Sequence, residues 1–500
     1  MNPTASPPTP GAPAREVIAP TGSGPAPPAG RAARPTLVRW LAVLVPGLLI
    51  WLVPFAGLTP QQRHQLAIFV STIVALVAHP VPMGVSALVG MTLLAITGTL
   101  PPARVLAGFS NLTVWLVFAA FLFARAVTVT RFGMRVAYFF IHRFGRSPLT
   151  LGYSLAASDV VLAPFVPSDT ARGGGIMYPV TRSVAQAAGS EPGVTADRLG
   201  AFLMLVSFHA TYTASGMFLT GMAANPLIAD FASKQAHVQL TWGRWLQGSI
   251  VPALLTLVLV PLLIHRLARP TADAAQTSAA RGHAREQLTA MGRMRRDEWW
   301  LVAVMLGVMA GWVTSPLHGM HNTIIALAGV CTLLLAGVLT WDDLLSERRA
   351  WDALIWFAPL LMMADTLNEA GVIKVLSTDF FAHLQGFSWT IAFPALAIAY
   401  LYLHYGFASM TAHVTALYPS FIAAALLAGA PPLIAALVLA YFSNLNACLT
   451  HYGTGSAPIF FGAGYVTQGT WWRIGFLISV LNISIWLGVG MVWWKVLGWW

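Results

Sequence analysis

Apolar runs of about 20 residues, the length that carries a helix across a bilayer, recur along this chain between short polar breaks. They fall at about 37–57, 65–81, 84–100, 112–130, 199–219 and 242–265. A second set follows at about 299–315, 322–340, 351–368, 389–405, 432–450 and 471–494. Between the sets, residues 266–298 are polar and carry Arg266, Arg269, Arg281, Arg285, Arg293, Arg295 and Arg296. The pattern divides the chain into halves, 35–265 and 299–500, and the basic excess places the linker on the cytoplasmic side. Residues 131–146, RFGMRVAYFFIHRFGR, alternate arginines with aromatics at near-helical spacing. They predict a helix lying at the same interface.

Two segments fit no spanning helix. One is VPSDTARGGGIMYPV, Val166–Val180, and the other is HYGFASMTAHVTALYPSF, His404–Phe421. Ser168-Asp169-Thr170-Ala171-Arg172 matches Ser409-Met410-Thr411-Ala412-His413, and each run leads to a Tyr-Pro pair, Tyr178-Pro179 and Tyr418-Pro419. Downstream, Thr220-Gly221-Met222-Ala223 matches Thr454-Gly455-Ser456-Ala457 at similar spacing. Matches in the same order predict a chain built twice, with hairpins near 150–185 and 404–428.

Composition narrows the class. Apolar residues make up 57% of 500 and charged residues 9%, against roughly half and a quarter in soluble domains. A large soluble enzyme is excluded, and the chain reads as an all-α polytopic membrane protein. The net charge of +11 is spread over loops and tails, which fits cytoplasmic loops and argues against a nucleic-acid partner. Cys331 and Cys448 lie in apolar helices and read as packing residues. Residues 1–34, rich in Pro, Ala and Gly, predict a disordered cytoplasmic tail; a transit peptide is the alternative. Lysine is scarce beside arginine, which hints at a GC-rich bacterial genome.

Duplicated halves with hydrophobic segments interrupted at matching positions are the mark of secondary transporters. Irregular backbone at membrane depth is tolerated only where protein or a water-filled cavity covers it. Helix N-termini there present N–H groups to anions, Ser and Thr add hydroxyls, and glycines let backbone approach closely. Asp169 and Arg172 mark a functional site, since a charge at mid-membrane costs several kcal/mol. Asp169 is expected to pair with Arg172 or to be protonated. His404, His451 and His209 read as structural. Asp365, Asn368, Glu369 and Lys374 suggest a helix-end salt bridge.

The two tip motifs and the run HYGTGSAPIFFGAGY, His451–Tyr465, resemble the divalent anion:sodium symporter family. Within it they are similar to bacterial citrate/succinate and tartrate/succinate exchangers and plastid 2-oxoglutarate/malate translocators. The resemblance runs from about residue 37 to 500. It implies an inverted-repeat fold of about eleven spanning helices and two re-entrant hairpins, a homodimer, an elevator-like motion, and no cofactor. It also implies that Ser168, Thr170, Ser409 and Thr411 bind substrate carboxylates, with Thr220-Gly221 and Thr454-Gly455 completing sodium sites in symporting relatives. The family's tip asparagines are absent: Asp169 and Met410 replace them.

Sodium needs hard oxygen ligands, and Met410 supplies a thioether. Each hairpin instead places a base four residues past its serine, Arg172 and His413. As fixed cations these would replace sodium, and His413, titrating near neutrality, would make affinity fall as pH rises. The expected function is exchange of di- or tricarboxylates such as succinate, malate, tartrate, citrate or 2-oxoglutarate, across a bacterial inner membrane or, alternatively, a plastid inner envelope. A sodium-coupled symporter is the alternative. An intramembrane hydrolase with Ser168, His413 and Asp159 is a distant one, because Ser168 lacks a Gly-x-Ser-x-Gly setting.

Overall fold

The computed structural model describes residues 37–54, 57–372, 375 and 388–500, and within these the chain is helical without strands. The first half begins with α1 (Leu37–Leu52), α2 (Pro60–Ala78), α3 (Met83–Ile96), the short α4 (Pro102–Leu106), α5 (Leu112–Thr130) and α6 (Phe132–Phe144). A hairpin of α7 (Pro148–Leu162) and α8 (Tyr178–Ala187) follows, with wider π-type turns at Thr170–Met177. Then come α9 (Gly200–Met217), an irregular break, α10 (Ala224–Ala236) and α11 (Trp242–Ala268). After α12 (Ala274–Met291) the order repeats in the second half: α13 (Arg296–Val313), a turn α14 (Ser315–His318), α15 (Asn322–Leu335), the short α16 (Trp341–Ser346) and α17 (Arg348–Glu369). The second hairpin is α18 (Trp389–Tyr402) and α19 (Met410–Leu427). It is followed by α20 (Pro432–Leu445), a break, α21 (Ala457–Gly462) and α22 (Gln468–Ser484), which runs through π-type turns into α23 (Met491–Val496).

Local sequence sets these boundaries. Thr59, Ser147, Thr241, Asp273 and Thr467 each accept a hydrogen bond from the first turn of the helix that follows, which satisfies an otherwise orphaned N–H. Pro60 and Pro148 stand at the first helical position, where no N–H is needed. Gly98 and Gly337 occupy equivalent turns before α4 and α16 with φ of 67° and 73°. That left-handed conformation favours glycine.

Six of the described helical stretches, with α20 counted together with the turn after it and α22 together with α23, are at least 18 residues long and apolar enough to cross a membrane. α9 and α20 lie at the centre: nearly every residue of α9, and every residue of α20 from Ile434 on, is buried. α20 is largely apolar all round, as suits such a place, and the hydroxyls of Thr211, Thr213 and Ser215 on α9 donate to carbonyls of their own helix. Buried indoles find acceptors, with Trp245 Nε1 donating to Gly216 O at 2.9 Å and Trp494 Nε1 to Gly248 O at 2.8 Å.

Two expectations need adjusting. The segment 389–405, taken as a span, is the first arm of the second hairpin, so that hairpin starts at Trp389 and not near 404. The polar linker 266–298 contains an 18-residue helix, α12, packed on α6 and α8. Arg135 on α6 binds Glu298 at 2.5 Å and also the carbonyls of Met291 and Gly292. The proposed tail 1–34 and Lys374 lie outside the described residues. Of the remaining polar set, Asp365 pairs with Lys234 on α10 at 2.5 Å, and Lys234 also meets Asp230 at 2.6 Å.

Ion pairs also join the halves. Arg104 on α4 pairs with Glu369 at the end of α17, and Asp343 on α16 pairs with Arg125 in the last turns of α5, at 2.9 Å. Each links a short helix of one half to a long helix of the other.

Candidate functional site

The two hairpin tips meet. Pro167–Thr170 and Ala408–Thr411 line one cavity of about 340 Å³, joined by Met222 and Ala223 from the first break and by Thr454 and Gly455 from the second. The facing wall is one side of α17, where Arg349, Asp352, Ala353 and Trp356 fall at i, i+3, i+4 and i+7; His79, Met83 and Phe121 complete the lining. The volume lies in the range of small-ligand sites.

Ser168 and Ser409 do the same work in the two halves. Each accepts a hydrogen bond from the backbone N–H three residues on, Ala171 at 3.2 Å and Ala412 at 3.3 Å. The caps leave the first-turn N–H groups of Asp169, Thr170, Met410 and Thr411 without an intrahelical acceptor, as helix N-termini do. With the hydroxyls of Thr170 and Thr411, one wall of the cavity is a set of neutral donors suited to a carboxylate.

Asp169 does not pair with Arg172. Its carboxylate accepts from the hydroxyls of Thr454 and Ser456, the latter at 3.0 Å, and more weakly from Thr170 at 3.4 Å. It thereby ties the first tip to the second half. Gly455 makes this closeness possible: a Cβ there would stand 2.3 Å from Thr170 Oγ1.

Arg172 turns the other way and is 0% exposed. Its Nε donates to Asp159 Oδ1 at 2.6 Å, Nη1 to the carbonyls of Val166 at 2.8 Å and Gly221 at 3.2 Å, and Nη2 to Thr211 O at 2.8 Å and Ser215 Oγ at 2.7 Å. All five N–H groups of the guanidinium are engaged. The expected contact of Arg172 with a carboxylate in the cavity is therefore corrected. The arginine sits behind the tip, because Asp159 faces it across the hairpin and carbonyls consume its other donors.

The reading of His413 as a cavity cation is also corrected. Neither ring nitrogen has a hydrogen-bond partner among the described residues. The ring is packed by Tyr400, His404 and Phe407 at centroid distances of 4.4, 5.0 and 5.1 Å. Tyr400 stands nine residues before Ser409, as Asp159 stands nine before Ser168. The second half thus has an edge-to-face ring cluster where the first has an ion pair. No Ser168–His413–Asp159 triad is assembled.

The two breaks are unequal. Thr454 and Gly455 line the cavity, whereas Thr220 and Gly221 lie behind the first tip. Thr220 Oγ1 donates to Pro164 O at 2.7 Å and accepts from Trp242 Nε1 at 3.2 Å. Three other histidines are engaged within the bundle: His404 meets Gly453 O at 2.8 Å, His209 meets Tyr212 Oη at 2.6 Å, and His451 accepts from Trp472 Nε1 at 3.0 Å. Sequence reasoning missed Ser456, although it lies inside the repeat motif, and missed Arg349, Asp352 and Trp356. The helical spacing of those three in SERRAWDALIW was the available signal.

Residues 35–500 match the family model described as the sodium:sulfate symporter transmembrane region. A putative malate transporter of Bacillus subtilis, YflS, is 45% identical over 94% of this chain and 99% of its own length. The chloroplastic dicarboxylate transporter 1 of Arabidopsis thaliana is 42% identical over 97% of this chain and 88% of its own. The citrate/succinate antiporter of Escherichia coli is 33% identical over 94% and 99%. Among solved structures, the Alcanivorax borkumensis YdaH transporter matches with a TM-score of 0.56 at 16% identity, over 81% of this chain and 89% of that one. That likeness concerns the fold alone.

Proposed function

The chain belongs to the family of the sodium:sulfate symporter transmembrane region, and from that premise we propose that it exchanges one di- or tricarboxylate for another without sodium. It is a multi-pass membrane transporter, not an enzyme. The relatives named for malate, dicarboxylates and citrate/succinate support carboxylates as substrates. So do the neutral donors on both tips.

One observation carries the sodium-independent reading. The carbonyls of Val166, Thr211 and Gly221, with the Ser215 hydroxyl, converge from the first tip, α9 and the first break on the Arg172 guanidinium. Carbonyl and hydroxyl oxygens are the ligands a hard cation requires, and here a covalently attached cation takes them. At the second tip Met410 offers only a thioether. A carrier with its cation built in gains nothing from a sodium gradient. Re-entrant hairpins, a dimer and an elevator-like motion of the tips belong to the same proposal.

The test is counterflow in liposomes. Labelled succinate, malate, tartrate, citrate or 2-oxoglutarate should enter only when the lumen holds an unlabelled carboxylate, with or without sodium. Equal uptake into empty vesicles under a sodium gradient would replace exchange by symport. In the same assay His413→Phe, which keeps a ring in the aromatic cage, is expected to leave the rate and its pH profile close to wild type. A flattened profile would restore a titrating role to His413.

A further inference from the structure

The helices that carry the tips and the helix that faces them are joined by one ion pair. α10 leaves the first break, whose Met222 and Ala223 line the cavity, and packs chiefly on α19 and α20. It is therefore part of the tip-bearing group. α17 packs instead on α3 and α5 and supplies the facing wall. Lys234, in the last turn of α10, reaches across this seam to Asp365 Oδ1 at 2.5 Å, and it holds Asp230 Oδ2 on its own helix at 2.6 Å. Among the described residues, no other side-chain hydrogen bond or ion pair joins α17 to α7–α10 or α18–α21. The exposed lining residues His79, Arg349 and Asp352 stand where α17 begins, so the cavity opens there. Asp365 lies roughly 24 Å further along the same helix, on the closed side.

We propose that the Lys234–Asp365 pair is a latch that holds the state in which the cavity opens beside the start of α17, and that it parts whenever the tips carry substrate to the other side. This rests on the elevator-like reading above. α13 and α15 make two crossings between the basic linker and α17, so the open side is the cytoplasmic one. An ion pair within either group of helices survives such a motion. One across the seam cannot, because a slide of a single helical turn, about 5 Å, exceeds the reach of a hydrogen bond. Asp230 suits the pair to repeated opening. It keeps the lysine paired on its own helix when Asp365 is left behind, and the Asp365 side chain is 21% exposed, so water can take the lysine's place. A part-exposed pair of this kind holds weakly, which lets the latch bias a state without trapping it.

The experiment reads from which side of the membrane the second tip is reached. Ala408, exposed at the cavity, is replaced by cysteine in a Cys331→Ser background, Cys448 being buried. A membrane-impermeant maleimide is then applied to right-side-out and to inside-out vesicles. Asp365→Asn is expected to slow labelling from the cytoplasmic side and to speed it from the other. The ratio of the two rates should shift on the order of 2- to 5-fold, the range for a part-exposed pair. Lys234→Gln should shift the ratio in the same direction and at least as far, since Asp230 and Asp365 then face each other with no cation between them. Asp230→Asn leaves the seam pair in place and removes the lysine's other partner, so it should move the ratio the opposite way. A ratio unmoved by Asp365→Asn overturns the latch, and so does a shift in the same direction by Asp230→Asn. Labelling from one side only, even with succinate or malate present, removes the elevator-like reading and the latch together. Labelling from both sides with unresponsive variants removes only the latch.

Discussion

Arg172→Gln is expected to abolish transport and to cost the folded protein about 3–5 kcal/mol, the penalty for leaving one member of a buried ion pair alone. Asp159 and Arg172 are both 0% exposed, so the orphaned carboxylate has no water to turn to. Three hydrogen bonds that fasten the first tip to α9 and to the break at Gly221, and a fourth to Val166 within the tip, disappear with the guanidinium. Arg172→Lys should fall between the two, because one ammonium has three donors and no fork. Asp159→Asn combined with Arg172→Gln should regain part of the stability, since no unpaired charge remains, while transport stays lost. Tryptophan fluorescence during thermal unfolding reads the first quantity and counterflow the second. A variant Arg172→Gln as stable as the wild type, defective only in substrate affinity, would return Arg172 to the cavity.

The second large effect is expected at Gly455. An added Cβ would stand 2.3 Å from Thr170 Oγ1 and 3.2 Å from Thr170 Cγ2, inside ordinary contact, and overpacking of this kind costs roughly 1–3 kcal/mol. The strain falls between Asp169 and its hydroxyl donors, so Gly455→Ala should stop transport even where the protein still reaches the membrane. Thr170→Ala in the same chain removes both offending atoms and should restore the unfolding temperature. At the equivalent Gly221 no such rescue is expected. A Cβ there meets the Ser215 carbonyl oxygen at 2.6 Å and its Cα at 2.9 Å, and backbone cannot be trimmed. If the double variant at 455 and 170 is no more stable than Gly455→Ala alone, the clash is not the cause.

The helices and the places where they break were legible because both follow from short-range chemistry: long apolar runs, capping hydroxyls, and prolines and glycines at the tips. The repeat gave the meeting of Ser168 and Thr170 with Ser409 and Thr411. Other features were hidden for definite reasons. α18 reads as a span because hydropathy reports how apolar a helix is, not whether the chain turns back after it. α12 buries only a narrow stripe of Thr277, Ala280 and Ala284, too slight to stand out among arginines. Asp169 and Arg172 look paired because they are three residues apart. The tip turns them to opposite sides, and the partner of Arg172 is the acid thirteen residues earlier on the other arm. A lone acid in the apolar run YSLAASDVVL was the clue to that pair. The neutral surroundings of His413 depend on Tyr400 and His404, which only the folded hairpin brings to it.

The cross-links Arg104–Glu369 and Arg125–Asp343 bear on how a duplicated chain keeps its halves from mating with their own kind. Both bases belong to the first half and both acids to the second, although the short helices α4 and α16 occupy equivalent places. Two first halves brought together in the same arrangement would set Arg104 toward Arg125, and two second halves would set Asp343 toward Glu369. Like charges so placed disfavour the wrong assembly, as opposite charges favour the right one. The four side chains thus sort the two halves by sign, so that each meets its complement and not a copy of itself.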